Sequence, residues 1–146
     1  MTEREQSIRL VRVLPAPPEE VFDAWTDPES IRVWMCPGAV SETVATLDVR
    51  VNGRYTIVMK GPSGDIVHTG QYLAIERPRR LVFTWVSNPV RGRTTQVTLE
   101  LEPDGAGATR LTLVHEALPD AEALRNHQEG WGQILTKLEA RLRTGR

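Results

Sequence analysis

The sequence predicts an α+β fold: a curved seven-stranded antiparallel sheet around a long C-terminal helix, with two short helices after the first strand. Three observations carry this. Turn signals recur at near-regular spacing between residues 41 and 118, at Asn52-Gly53, Pro62-Ser63-Gly64-Asp65, Arg77-Pro78, Asn88-Pro89 with Gly92, and Asp104-Gly105. The connections between the strands they separate are too short for parallel crossovers. Only the C-terminal stretch DAEALRNHQEGWGQILTKLEARL is long enough to cover one face of such a sheet, and it is apolar at helical spacing.

Taken in order, residues 7–14 alternate Arg with Ile, Leu and Val, the period-two pattern of a half-exposed strand, and stop at Pro15. APPEEVFDAW then places Pro18 in a helix's first turn, Glu19 and Glu20 at its positive end, and Val21, Phe22 and Trp25 on one stripe. Asp27-Pro28 reads as a cap and first-turn proline for a second helix carrying Ile31 and Trp34, ended by Pro37-Gly38. Six strands follow at about 41–51, 54–60, 66–76, 81–87, 93–102 and 108–117. The last helix aligns Leu124, Trp131, Leu135, Leu138 and Leu142 in one stripe with His127, behind a cap at Asp120.

Length and composition bound the function. The 146 residues suit one domain, read here as 1–146, with a net charge of −1 that argues against a nucleic-acid surface. The single Cys36 allows no internal disulfide or thiolate zinc site, and no apolar run reaches the ~20 residues that would insert into a membrane. The charged start MTEREQS is unlike a signal peptide, so a cytoplasmic location is expected.

The runs APPEEVFDAWTDPESIRVW, LDVRVNGRYTIVMKGPSGDIVHTGQYLAIERPRRLVFTW, GATRLTLVHEALP and EGWGQILTKLEARL, in that order, resemble the heat-shock-protein-90 ATPase activator homologue-like branch of the START-like superfamily (SRPBCC, with the helix-grip, birch-pollen-allergen-like fold). The resemblance runs from about Ile8 to Leu142. It implies a sheet gripping the C-terminal helix with an apolar cavity between them. The chain departs from the family at Trp34-Met35, where relatives often carry Trp-Trp, and at Asn52-Gly53, where they often carry Gly-Gly.

Strand alternation sets which side chains face that helix. Tyr55, Ile57 and Met59 share one face; Phe83 with Trp85, Val97 with Leu99 and Leu101, Leu111 with Leu113 and His115, and Tyr72 with His68 and Gly70 extend it. Four of the eight aromatic residues are Trp, which suits the rigid walls of a ligand cavity, although a packed core is the commoner use of such a stripe. The wall expected from these faces and the resemblance is Trp34, Met35, Tyr55, Ile57, Met59, Tyr72, Phe83, Trp85, His115, Trp131 and Leu135. A two-residue turn at Asn52-Gly53 would add the charges of Asp48 and Arg50 to the inward face; a longer loop would turn both to solvent. His68, His115 and His127 could converge, but without short-range ligand spacing no metal is expected. Cys36 ends a helix, where the dipole disfavours a thiolate, and reads as a bystander. Arg77, Arg79 and Arg80 read as a solvated turn.

No nucleophile elbow, phosphate-cradling loop or dinucleotide fingerprint occurs, so no catalytic residue and no cofactor is expected. The expected function is binding of a small hydrophobic or amphipathic molecule. The alternative from the resemblance is a chaperone-interaction domain, although that role in the family normally involves an additional N-terminal domain for which this length leaves no room. A weaker alternative is an enzyme in the same cavity using Asp48, Arg50 or His115 for acid–base work. Monomer and homodimer are both compatible with the sequence.

Overall fold

The computed structural model describes residues 6–144. Its elements are β1 (Ile8–Leu14), α1 (Pro18–Thr26), α2 (Pro28–Trp34), β2 (Glu42–Leu47), β3 (Arg54–Gly61), β4 (Gly64–Glu76), β5 (Arg80–Trp85), β6 (Thr95–Pro103), β7 (Thr109–Glu116) and α3 (Ala121–Thr144), with a 3-10 turn at Asn88–Val90 between β5 and β6. The seven strands form one antiparallel curved sheet in the order β1-β7-β6-β5-β4-β3-β2, so the first two strands of the chain form its edges. The helices gather on one face of the sheet, because each has a single apolar stripe to bury.

Local chemistry sets the helix boundaries. Asp27 Oδ1 accepts from Glu29 N at 3.0 Å and Pro28 opens α2. Asp120 Oδ1 accepts from Ala123 N at 2.9 Å at the start of α3. Its Oδ2 takes a 2.8 Å bond from Arg91 Nε, which ties the β5–β6 connection to the helix. From α3, Trp131, Ile134, Leu135, Leu138 and Leu142 go down into the core. Burying a large aliphatic side chain is worth ~1.5–3 kcal/mol each, so this stripe anchors the helix to the sheet.

The strand between 41 and 51 is shorter than its alternation suggests. β2 ends at Leu47, and residues 48–53 leave the ladder: Gly53 N donates to Arg50 O at 2.8 Å, Asn52 N to Tyr72 O at 2.8 Å, and Asn52 takes a left-handed φ of 70°. The pairing is therefore Leu47 with Tyr55 and Ala45 with Ile57. Asp48 and Arg50 lie in the longer loop, exposed and paired with each other at 2.9 Å. The two charges do not enter the sheet–helix gap, because the loop shifts the register by an odd number of residues and exchanges faces.

At Gly70 the sheet bends. Its cross-strand partner is Tyr55, whose ring lies over the glycine: a Cβ there would stand 2.4 Å from Tyr55 Cε2 and 2.1 Å from Thr84 O. Tyr55 Oη donates to Thr84 O at 2.5 Å, while Gln71 N turns to Thr84 Oγ1 at 2.9 Å. Three residues on, a bulge at Leu73 shifts the register by one, from Tyr72 opposite Phe83 to Ala74 opposite Val82.

Candidate functional site

The inward faces predicted for β3, β5, β6 and β7 are buried, but the space beneath α3 is unevenly filled. Around Tyr55, Tyr72, Phe83 and Trp25 only about 10 Å³ remains, with Met35 and Ile57 among the neighbours. That is about the volume of one water probe, so this part is core. Its rings interlock: Tyr55 meets Phe83 edge-on at 5.8 Å between centroids, and Trp25 meets Trp34 edge-on at 4.8 Å.

Towards the start of α3 the gap opens into a cavity of about 450 Å³. Its volume falls within the ~300–1,000 Å³ of small-molecule sites. Strands supply Met59, Ile66, His68 and Trp85; α3 supplies Asn126, His127, Glu129, Gly130, Trp131, Gln133 and Ile134. The mouth is formed by the α2–β2 connection at residues 37–40, the β3–β4 turn at Gly61-Pro62, and Pro89. Two bonds hold that first connection against the helix: Gly38 N donates to Gln133 Oε1 at 2.7 Å, and Lys137 Nζ donates to Cys36 O.

Of the expected wall, Met59, Trp85 and Trp131 line this cavity. Met35, Tyr55, Ile57, Tyr72 and Phe83 surround the filled region instead, and Trp34, His115 and Leu135 are fully buried without lining either space. The reason is volume: alternation shows which side chains point inward, whereas the rings that arrive from α1 and α2 decide how much space is left. His68 and His127, outside the expected wall, also line the cavity, as does the mouth, whose Pro and Gly residues signal turns in the sequence but not what they enclose.

The floor is a hydrogen-bonded plate. Trp131 Nε1 donates to His115 Nδ1 at 3.0 Å, so that nitrogen carries a lone pair and the proton sits on Nε2. His115 Nε2 then donates to Thr95 Oγ1 at 2.7 Å, and Thr95 Oγ1 donates to Trp85 O at 2.6 Å. The chain of bonds links the Trp131 indole to the Trp85 backbone through one neutral imidazole. Burial pushes the His115 pKa down to about 3, with His127 and His68 adding to the effect. This histidine is held as a structural acceptor, a role unlike acid–base work.

His68 packs against Trp85 with ring centroids 4.5 Å apart and planes tilted by 41°, and burial lowers its pKa to about 4 despite the carbonyl of Ile57, 3.4 Å from Nδ1. His127 Nδ1 lies 2.8 Å from Ala123 O. A carbonyl only accepts, so Nδ1 carries the proton and Nε2 keeps its lone pair. The His127 pKa is also lowered, by burial. The three histidines do converge, yet among the described residues no group of three or more His, Cys, Asp or Glu is arranged to hold a metal ion.

Cys36 is buried, 3.5 Å from Thr43 Oγ1 and 3.6 Å from Arg32 O. Arg77 forms a fork on Asp23 at 3.0 and 3.1 Å in solvent. No helix among the described residues is long and apolar enough to cross a membrane.

The sequence model of the family described as activator of Hsp90 ATPase homolog 1-like protein matches residues 15–143. None of the curated proteins matches this sequence. Among solved structures, protein CV1439 from Chromobacterium violaceum is 34% identical with a TM-score of 0.80, covering 92% of this chain and 95% of its own. An AHSA1 protein from Silicibacter pomeroyi is 28% identical at a TM-score of 0.79, covering 96% and 99%. An HSP90 activator from Plasmodium falciparum is 26% identical at 0.74, covering 93% and 95%. Element order, sheet topology and these matches agree: the chain belongs to the activator of Hsp90 ATPase homolog 1-like family, within the START-like superfamily.

Proposed function

We propose that the protein binds a small hydrophobic or amphipathic molecule between α3 and strands β3 to β5. The observation that carries this reading is the cavity of about 450 Å³, with buried Trp85 and Trp131 at its floor and a mouth of Pro, Gly and Ala residues. A domain that needed only stability would gain from filling such a space, since each lost contact costs free energy. The reading takes residues 1–146 as one domain working in the cytoplasm and asks for no metal or cofactor.

Titration with the neutral dye Nile red tests it. Saturable binding at one site per chain is expected, with energy transfer from tryptophan. Gly130→Phe places a ring at the mouth, where a Cβ would meet Pro37 at an ordinary 3.8 Å. It should weaken the dye by at least about tenfold, or ~1.4 kcal/mol. Absence of saturable binding, or binding indifferent to this change in a folded variant, contradicts the reading.

The Plasmodium relative favours a second reading, a chaperone-interaction domain. Stimulation of a heat-shock protein 90 ATPase by this chain would support it, and absence of association in a pull-down would remove it.

A further inference from the structure

We infer that the cavity selects an uncharged ligand carrying a hydroxyl, such as a phenol or an alicyclic alcohol, over a carboxylic acid of the same shape. This rests on the small-molecule reading above and specifies its chemistry.

Charge comes first. Among the described residues that line the cavity there is no Lys or Arg, and the one carboxylate is Glu129. Lys137 is tied to the backbone of the mouth at Cys36 O and does not line the space. Neither cavity histidine offers a cation at neutral pH: burial lowers His68 to about 4 and lowers His127 as well. A bound carboxylate would therefore give up water for a mostly apolar wall without a compensating positive charge.

Hydrogen bonding comes second. His127 spends its N–H on Ala123 O, so its remaining nitrogen can accept from a ligand O–H. On the facing wall Trp85 is 2% exposed, and its Nε1 is buried without a hydrogen-bond partner among the described residues. A buried donor left unmade is costly, and buried donors generally find acceptors. A hydroxyl donates and accepts at once, so it can donate to the imidazole nitrogen and still accept from an N–H. An ether cannot donate to the imidazole, and a carboxylate brings a charge that the wall does not match.

Three probes of similar size decide the matter in competition with Nile red on the full chain at pH 7: 2-naphthol, 2-methoxynaphthalene and 2-naphthoate. The inference expects 2-naphthol to compete about tenfold better than either of the others. In His127→Leu, 2-naphthol should fall to the level of 2-methoxynaphthalene, whose own binding stays within about threefold. Equal or tighter binding of 2-naphthoate, or a naphthol preference that survives in His127→Leu, overturns the inference while leaving the cavity reading in place. Failure of Nile red and all three probes to bind overturns both. Should His127→Leu not fold, the ranking of the three probes on the wild-type chain still decides.

Discussion

Two regions of the same sheet–helix gap contrast. One is closed by rings from several elements: Trp25 and Trp34 come from the short helices, and Tyr55, Tyr72 and Phe83 come from the strands. The other has two tryptophans on its floor, but its mouth is built from residues 37–40, Gly61-Pro62 and Pro89, none of which carries a ring larger than proline's. The inward pattern is the same in both regions. What differs is whether a second layer of large side chains arrives from outside the sheet, so openness depends on the connections more than on the strands.

The contrast can be broken hardest at the bend. Gly70→Ala puts a methyl against Thr84 O at 2.1 Å and the Tyr55 ring at 2.4 Å, and it should destabilise by more than ~3 kcal/mol in urea unfolding. Phe83→Ala in the closed region should cost ~3–5 kcal/mol, whereas Ile66→Ala at the half-buried wall of the open region should cost under ~1.5 kcal/mol. Similar costs would mean the two regions are packed alike.

Acid acts mainly through the floor. His68 and His115 are neutral when folded, with pKa values of about 4 and about 3, below the ordinary 6.5. Above pH 6.5 neither state binds the proton, and stability is at its full value. As pH falls below 6.5 the unfolded chain takes up protons that the fold refuses, so stability drops towards pH 4 and levels off near 3. The loss should be on the order of a few kcal/mol at pH 4, read from unfolding midpoints across the series. A flat profile between pH 7 and 4 would show that the imidazoles are not held neutral.

The smallest effect concerns the helix that covers the open region. A Cβ at Gly132 would meet nothing within 4 Å. Gly132→Ala should therefore stabilise by ~0.5–1 kcal/mol through helix propensity, visible as a raised Tm with dye binding unchanged.

These contrasts also show what the chain makes legible. Element order, the inward faces of β3 and β5 to β7, the caps at Asp27 and Asp120 and the stripe of α3 can all be read from period and capping chemistry. The phase of β2 cannot, because it depends on Asn52 and Gly53 pairing with Tyr72, a residue of another hairpin. Nor can the cavity's position: Tyr55 and Met59 share one face of β3, yet one is covered by neighbouring rings and the other by open space. The role of His127 was hidden for a related reason, since its proton is placed by a helix carbonyl four residues earlier.

The chain's four tryptophans test the central claim directly: Trp131 lines only the open region, Trp85 borders both, Trp25 lines only the closed one, and Trp34 is buried behind Trp25. In a proton–nitrogen NMR titration with 2-methoxynaphthalene, the indole signals of Trp85 and Trp131 should move in saturable fashion. Those of Trp34 should stay in place, and those of Trp25 should move little. Saturable shifts confined to Trp25 and Trp34, with Trp85 and Trp131 unmoved, would contradict the placement of the binding cavity beneath the start of α3.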